Sequence, residues 1–316
     1  MTDPPDIRPG RRIHGIAALL LPFDADGRAD LDGLASLVRR ATEAGLDVAV
    51  NMDTGFGPDL TPDERRAVLH VTRDGLGPDA SFVAGAMPFG RAGDPEDAYR
   101  QEVRAIVGAG AVPVVFPSEA MAGLGEDALV DLIARVTADA PQAIAFELGG
   151  MFASFGRLFG PEVARRLMSV ENIVGLKHSS LNRQLEWELL RIRDTERPGF
   201  QIFSGNDLAI DMVCYGSDYL LGLATFDVKA FAQRDRWWAA SDSRFPLLNE
   251  ALQAIGDVAF RDPVLAYKHD AALYLKLTAQ LHDPYPHPAC PRRPDDETDR
   301  LRALADGVAE VMATTS

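Results

Sequence analysis

Short apolar runs alternate with longer amphipathic stretches along most of the chain. Residues 16–21 are an unbroken apolar run, which predicts a strand buried on both faces. Residues 31–44 then carry apolar side chains at helical spacing, and Gly45 is a common kind of helix stop. Thr61 and Glu64 form a capping box, which predicts the start of the next helix. The pattern therefore indicates a repeating β–α unit.

The same alternation continues to about residue 223 and predicts eight strands with helices between them. The predicted strands cover residues 13–22, 48–50, 81–84, 111–116, 143–146, 173–177, 200–204 and 219–223. The predicted helices cover residues 31–44, the stretch after Thr61, and residues 95–108, 125–138, 161–168, 184–193 and 208–215. Eight such units match the α/β class and, within it, the (β/α)8 or TIM barrel.

The main competing architecture is a doubly wound open sheet. That fold commonly carries a glycine-rich fingerprint after its first strand, whereas Pro22, Phe23 and Asp24 stand there in this chain. Beyond residue 228 the helical patterns are interrupted by prolines and contain no clear strand. We therefore predict a polar tail at 1–12, a TIM barrel at 13–228 and a C-terminal helical appendage at 229–316.

Composition narrows the functional classes. The 316 residues include 47 acidic and 32 basic side chains, and the resulting net charge of -15 argues against a nucleic-acid or anionic membrane partner. Cys214 and Cys290 have no paired spacing, and with His282 and His287 they fit no standard metal pattern, so we expect no disulfide and no metal. The first twelve residues lack the apolar core of a signal peptide, and no apolar run could span a bilayer, so a cytoplasmic protein is expected.

Lys177 follows the short apolar run 173–176 directly. A lysine at the carboxyl end of a buried strand is unusual because burying an unpaired ammonium is costly. In a barrel this end faces the mouth, where desolvation favours the neutral amine that attacks a carbonyl to form a Schiff base. The alternative is a lysine that extends into water. His178 alternates with Lys177 along the strand and is expected to pack behind the barrel.

Five segments of the chain carry recognisable motifs in a consistent order. They are LPFDADG at 21–27, TGFGPDLTPDER at 54–65, NIVGLKHSS at 172–180, SGND at 204–207 and AYKHDAA at 266–272. Together they resemble the dihydrodipicolinate synthase / N-acetylneuraminate lyase family of class I aldolases over nearly the whole chain. The resemblance implies a barrel whose Lys177 forms a covalent imine with a small carbonyl substrate and needs no separate cofactor. It also implies a homotetramer or homodimer.

The chain departs from this family at several positions that matter for chemistry. Asp53 replaces a threonine of the proton relay, and Phe146 stands where the family has its catalytic tyrosine. Ser118 and Glu119 replace the aromatic pair that the family contributes across a subunit interface, and the arginine that holds an amino-acid substrate has no counterpart. The loop at 149–156 is apolar and longer, which favours a less charged, bulkier or more aromatic second substrate.

Asp53 lies beside the position where the family binds a substrate carboxylate. An ionised Asp53 would repel that carboxylate by a few kcal/mol, on the order of a charge pair at intermediate dielectric. Either Asp53 is protonated, or it points away, or the substrate group is not a carboxylate. A carboxyl group among phenylalanines would have a raised pKa, which suits general acid–base catalysis near neutral pH.

These observations give a set of expected site residues. The expected catalytic residues are Lys177, Asp53, Glu147 and Glu119, and the expected substrate-binding residues are Thr54, Gly55, Phe146, Leu221 and Gly222. The alternative for the two glutamates is that they point to solvent. The leading hypothesis is a Schiff-base lyase of the aldolase or dehydratase type. The rivals are 4-hydroxy-tetrahydrodipicolinate synthase proper, which joins pyruvate to aspartate semialdehyde, and a non-catalytic barrel that binds a small ligand.

Overall fold

A closed barrel of eight parallel strands forms the centre of the molecule. The computed structural model describes residues 3–76 and 80–314. Each strand is hydrogen-bonded to its sequence neighbours, and β8 returns to pair with β1. The strands are β1 Gly15–Ala18, β2 Asp47–Val50, β3 Val83–Ala86, β4 Val112–Val115, β5 Ala143–Leu148, β6 Ile173–Ser179, β7 Gln201–Ser204 and β8 Asp218–Leu221. The predicted TIM barrel is confirmed.

Helices surround the barrel and continue beyond it. They are α1 Leu31–Ala44, α2 Pro62–Leu76, α3 Pro95–Gly108, α4 Glu119–Ala122, α5 Glu126–Val136, α6 Pro161–Ser169, α7 Arg183–Glu196, α8 Val228–Ala239, α9 Phe245–Ala259, α10 Tyr267–Leu277 and α11 Glu297–Ala313. The predicted capping box is present, since the Thr61 N–H donates to Glu64 at 2.8 Å and the Glu64 N–H donates to Thr61 Oγ1 at 3.3 Å. Gly45 ends α1 with a φ of 95°, a conformation that favours glycine.

Side chains on each strand alternate between the barrel interior and the helix layer. The interior is filled by one apolar cluster, which includes Ile16, Ile144, Phe146, Phe203 and Leu220. The residues between them, such as those flanking Phe146, face the surrounding helices. The interior is therefore a packed core, and open space remains at the mouth formed by the carboxyl ends of the strands.

Several boundaries differ from the sequence-based prediction. β3 begins two residues later than predicted, because its pairing with β4 runs from Val83 to Ala86. β6 continues past Lys177 to Ser179, since it pairs with β5 over that length. The predicted helix at 208–215 is a short 3-10 helix, Ile210–Tyr215. The barrel also extends beyond residue 228, because α8 packs against α1 and β1 and completes the helix layer.

The C-terminal helices lie against the barrel and contribute to its mouth. α9 packs on α8 and α11, and α10 contacts α9 and α11. The N-terminal end of α10 places Tyr267 and Lys268 beside the turn that follows β2. Within residues 3–76 and 80–314, no helix is long and apolar enough to cross a membrane.

Candidate active site

Lys177 lies at the mouth of the barrel and points inward. Its neighbours in register on β5 and β7 are Phe146 and Phe203, and both belong to the interior cluster. Lys177 Nζ lies 4.0 Å from the centre of the Phe146 ring and donates a hydrogen bond to Ser179 Oγ at 3.3 Å. The pocket around this amine is a small cavity of about 30 Å³. Its lining residues are Ala18, Met52, Asp53, Thr54, Phe146, Leu148, Phe152, Lys177, Ser179, Gly205, Asp207, Gly222, Phe260 and Tyr267.

The amine of Lys177 is tuned toward its neutral form. Burial lowers its pKa from 10.5 to about 8, although the carboxylates of Asp207 and Asp53 act in the opposite direction. Among the described residues that line the pocket, Lys177 is the only cation. About a tenth of the amine is therefore unprotonated at neutral pH, far more than for an ordinary lysine, and this is the form that attacks a carbonyl.

Asp207 is a pocket residue that the sequence analysis did not select. Burial raises its pKa to about 7, while its hydrogen bond from the Leu223 N–H at 2.7 Å and the nearby Lys177 act against that rise. The carboxyl group is thus poised to change protonation near neutral pH beside the amine. The signal in the sequence was the SGND motif at 204–207, which contributed to the family resemblance without a role being assigned to this residue.

Asp53 faces the pocket, and both of its oxygens are engaged. Lys268 Nζ lies 3.0 Å from Oδ1, and the Tyr267 hydroxyl donates to Oδ2 at 2.8 Å. The Tyr267 oxygen also lies 3.0 Å from Thr54 Oγ1. Of the three alternatives left open for Asp53, the structure excludes one, because the side chain does not point away from the site. Its position also shows that α10 is part of the site.

Tyr267 and Lys268 are held in place by aromatic contacts. The Tyr267 ring stacks on Phe260 with centres 4.4 Å apart and planes at 17°. Lys268 is 4% exposed, and its Nζ lies 4.8 Å from the centre of the Phe56 ring. Both residues belong to the motif at 266–272, but the sequence could not connect them with Asp53, since only folding brings α10 to the end of β2.

The structure brings together five of the nine expected site residues. Asp53, Thr54, Phe146, Lys177 and Gly222 all line the pocket. The remaining four lie elsewhere: Gly55, Leu221, Glu147 and Glu119 are not among its lining residues.

The two expected binding residues outside the pocket have structural roles. The Gly55 N–H closes a turn onto the Met52 carbonyl at 3.1 Å, so it is not available to hold a substrate group. Leu221 belongs to the apolar layer between strands and helices, because its neighbour Leu220 takes the inward position on β8. Both expectations are corrected by these positions.

Glu147 forms a buried pair with His178 on the outer side of the barrel. The two residues are in register on β5 and β6, are fully buried, and have Glu147 Oε1 and His178 Nδ1 2.5 Å apart. Glu147 also accepts a hydrogen bond from the Phe159 N–H at 2.6 Å. The expectation that Glu147 acts in the pocket is therefore corrected, and so is the alternative that it points to solvent. The prediction that His178 packs behind the barrel is confirmed.

Glu119 is the first residue of the short helix α4 and is exposed. It follows β4, whose mouth-facing end is occupied by Phe116. Glu119 therefore lies outside the pocket of its own chain, and its expected catalytic role, at a position that the family contributes across a subunit interface, stays a prediction.

The loop after β5 forms an apolar wall beside the amine. Phe152 lines the pocket directly, and Phe155 of the same loop packs against the interior cluster with its ring centre 5.5 Å from that of Phe89. Phe146 in turn meets Phe116 edge to face at 5.2 Å. The wall therefore offers apolar surface to a substrate and no charged group.

No cluster of three or more histidine, cysteine, aspartate or glutamate side chains suited to a metal ion occurs in the part of the chain that the structure describes. Cys214 and Cys290 are free thiols.

Comparison with known proteins gives the following relatives. The chain is 30% identical over 207 residues to 4-hydroxy-tetrahydrodipicolinate synthase from Synechococcus sp. (strain CC9605). The aligned segment covers 64% of this chain and 65% of that relative. The chain is 28% identical over 264 residues to the enzyme of the same name from Parasynechococcus marenigrum (strain WH8102), covering 82% and 84%. No family model matches the chain.

Two solved structures illustrate the shared fold. Dihydrodipicolinate synthase from Thermotoga maritima superposes with a TM-score of 0.80 at 16% identity, covering 95% of this chain and 99% of that one. Wild-type sialic acid aldolase from Ruminococcus gnavus gives 0.81 at 15% identity, covering 97% and 100%.

Fold and pocket together define a TIM-barrel protein with a desolvated amine at the mouth of its barrel. These relatives and structural neighbours support membership of the dihydrodipicolinate synthase / N-acetylneuraminate lyase family, as a divergent member. The sequence-based prediction of a lyase of the class I aldolase type is confirmed at the level of this family.

Proposed function

We propose that the protein is a Schiff-base-forming lyase that acts on a small carbonyl compound through Lys177. The observation that carries this proposal is the position of the amine, which lies in a pocket with its pKa lowered to about 8 and points away from the helix layer. A lysine that merely extended into water would keep its ordinary pKa, because it would remain solvated.

The chemistry requires only groups of this chain and the substrate. The neutral Lys177 amine attacks the carbonyl carbon, and its proton passes to the carbonyl oxygen to give a neutral carbinolamine. The carbinolamine hydroxyl then takes up a proton from solvent and leaves as water, which gives a protonated imine. The cationic nitrogen then accepts the electron pair of a bond to the adjacent carbon, which gives an enamine. If that bond is C–C, the departing fragment leaves as an aldehyde or ketone; in the reverse direction the enamine attacks one. Reprotonation and hydrolysis restore Lys177, so no separate cofactor enters the cycle.

The pocket wall supports an apolar or aromatic group as the second substrate. Phe152 and Leu148 line the pocket on the side of the loop after β5, and Lys177 is the only cation among its described lining residues. An anionic aldehyde would lose its hydration there, beside the carboxyl groups of Asp53 and Asp207 and with no free cation among the described lining residues to pair with, which is costly. An aromatic aldehyde would instead bury its ring against the phenylalanines.

The test is the intact mass of the protein after incubation with pyruvate and borohydride, beside a panel of larger oxo acids and aldehydes. Reduction fixes the imine, and we expect one adduct located on Lys177 and absent from Lys177→Ala. Lys229→Ala is the matched control, because Lys229 is an exposed lysine outside the pocket, and it should react as the unmodified protein does. Adducts on another lysine, or none with any carbonyl compound, would contradict the proposal and favour a ligand-binding barrel.

A second candidate is 4-hydroxy-tetrahydrodipicolinate synthase itself, because both curated relatives above carry that name. This reaction joins pyruvate to aspartate semialdehyde, whose amino-acid group needs charged partners. No arginine occurs among the described residues that line the pocket, which speaks against this candidate. To decide between the two functions, the protein is incubated with both substrates, and the consumption of pyruvate is measured.

A further inference from the structure

A chain of three side chains runs from the pocket to a buried charge pair. Thr54 Oγ1 lies 3.0 Å from the Tyr267 oxygen, Tyr267 lies 2.8 Å from Asp53 Oδ2, and Lys268 Nζ lies 3.0 Å from Asp53 Oδ1. We propose that Thr54, Tyr267 and Asp53 form the proton path of this active site, with Thr54 at the substrate end and Asp53 as the terminal acceptor. This inference rests on the proposed function of Lys177.

The number of protons available on the two hydroxyl groups fixes the direction of the hydrogen bonds along the path. A phenol has one proton, so when Tyr267 donates to Asp53 its oxygen accepts from the Thr54 hydroxyl. Thr54 then presents a lone pair toward the pocket, where it can accept a proton. The third member, Asp53, has its other oxygen fixed by Lys268, which holds the carboxylate in position.

The surroundings keep the path intact. Burial and the nearby Asp53 carboxylate raise the pKa of Tyr267, so the phenol retains its proton at neutral pH. Gly222 has no room for a side chain, since an added Cβ would lie 2.9 Å from Thr54 Oγ1 and 3.3 Å from Tyr267 Cε2. The stacking of Phe260 on Tyr267 fixes the ring. Each contact holds a hydroxyl where a proton can pass along the chain.

The step that uses the path is proton removal next to the imine. The C–H bond on the adjacent carbon breaks, its electron pair forms the C=C bond of the enamine, and the imine nitrogen becomes neutral. The released proton moves to Thr54 as the proton of Thr54 moves to Tyr267 and that of Tyr267 to Asp53, so one proton leaves the substrate and one arrives on the carboxylate. The reverse shift returns it. In aldol cleavage the same path takes the proton of the substrate hydroxyl while the C–C bond breaks.

Three residues of one chain thus supply a complete path. Phe146, on β5, has no hydroxyl to contribute, and Tyr267 from α10 brings one to the pocket instead. All three members of the proposed path are contributed by the same chain.

The experiment uses pyruvate as the probe and two readouts. Reduction by borohydride measures imine formation on Lys177, and exchange of the pyruvate methyl protons in D₂O, followed by NMR, measures proton removal. We expect Tyr267→Phe to form the imine with an unchanged half-saturating pyruvate concentration, while exchange at saturation falls by about 100-fold, the usual contribution of a positioned proton-transfer group. Tyr274→Phe is the matched control, because Tyr274 is a buried tyrosine of the same helix outside the pocket.

Three further variants keep the test decisive if Tyr267→Phe folds poorly. Asp53→Asn removes the terminal base at equal size and should slow exchange similarly. Thr54→Ser keeps the hydroxyl and should preserve exchange, whereas Thr54→Val should lose it. Exchange within about twofold of the unmodified rate in Tyr267→Phe, where general acid–base groups usually give 100-fold or more, would overturn the inference alone. If the unmodified protein forms an imine only with another oxo compound of the panel, exchange is measured on that compound. Failure to form an imine with any carbonyl compound of the panel would overturn the inference together with the proposed function.

Discussion

Lys268 Nζ lies 3.0 Å from Asp53 Oδ1, although the two residues are 215 positions apart in the chain. This pair joins the start of α10 to the turn that follows β2, so the C-terminal helical region forms part of the active-site wall. The side chain of Lys268 is 5% exposed and that of Asp53 23%. Loss of one partner would leave the other charge in a poorly hydrated place, which is unfavourable.

We expect Lys268→Met to lower the free energy of unfolding by about 3 kcal/mol, the lower end for breaking a buried pair, because Asp53 retains some contact with solvent. Urea unfolding measures the change. Lys276→Met is the matched control on the same helix, since Lys276 pairs with Asp283 at the exposed surface. That control should unfold like the original protein, and equal destabilisation of both variants would contradict a special role for the buried pair.

The lowered pKa of Lys177 predicts a pH dependence for imine formation. Only the neutral amine attacks, so at low pyruvate the rate of trapping by cyanoborohydride should rise about tenfold per pH unit below the pKa, and level off above it. Because burial lowers the pKa of Lys177 to about 8, the trapping rate should level off at about pH 8. A rate that still rises through pH 10, as for an ordinary lysine, would show that the amine is solvated.

The charge of Asp207 should affect the pH at which the rate of imine trapping levels off. Its carboxylate raises the pKa of Lys177, opposing burial, and accepts a hydrogen bond from the Leu223 N–H. Asp207→Asn keeps an acceptor for that N–H and removes the charge, so the break in the trapping profile should move below pH 8. Asp211→Asn serves as control, because Asp211 lies outside the pocket and pairs with Arg183. An upward shift in Asp207→Asn would contradict the assignment.

The pair of Glu147 and His178 should stabilise the protein most at low pH. Burial alone lowers the pKa of His178, but the carboxylate of Glu147 raises it overall above the ordinary value of 6.5. Because the pKa of His178 is raised in the folded state, its pairing with Glu147 stabilises the folded protein fully below pH 6.5. This stabilisation is lost as the pH rises through the folded-state pKa of His178.

Glu147→Gln should therefore cost about 3 kcal/mol of unfolding free energy at about pH 5.5 and less at about pH 9, because His178 loses its charge as the pH rises through its folded-state pKa and the amide still accepts from the Phe159 N–H. Urea unfolding at the two pH values tests this. Asp139→Asn, which alters an exposed pair with Arg104, should have little effect at either pH. A cost that grows with pH would show that the sign is wrong.

The apolar loop after β5 predicts which aldehyde the protein prefers as its second substrate. With pyruvate as donor, we expect benzaldehyde to be preferred over glyceraldehyde as acceptor. Phe152→Ala should lower kcat/KM for benzaldehyde by about tenfold, since part of a ring contact is lost, and leave imine trapping unchanged. Met151→Ala is the control from the same loop, because Met151 is 52% exposed and outside the pocket lining. Equal losses for both aldehydes would argue against a specificity role for Phe152.

The sequence by itself determined the barrel and the position of the candidate lysine. Local patterns carry that information: a buried parallel strand is an apolar run, a helix shows a 3.6-residue period, and Lys177 places a charge at the end of an apolar strand, where an amine without a function is costly. The alternation rule also placed His178 behind the barrel, because side chains on a strand point to opposite faces in turn.

The same alternation governs Glu147 and Leu221, which were expected in the pocket, and the structure corrected both. Glu147 is in register with His178, so it faces the helices, and Leu221 follows the inward-facing Leu220. The register between neighbouring strands decides which face a residue takes, and hydrogen bonds between distant segments fix that register.

Only the tertiary structure decided what stands beside the lysine. Tyr267, Lys268 and Asp207 lie in recognisable motifs, yet nothing in the spacing of those motifs shows that α10 reaches the end of β2. Local propensity depends on neighbours a few residues apart, whereas the site depends on contacts across more than two hundred positions. The packing of the C-terminal helices against the barrel brings these groups together, which is why the lysine could be found from the sequence and its partners could not.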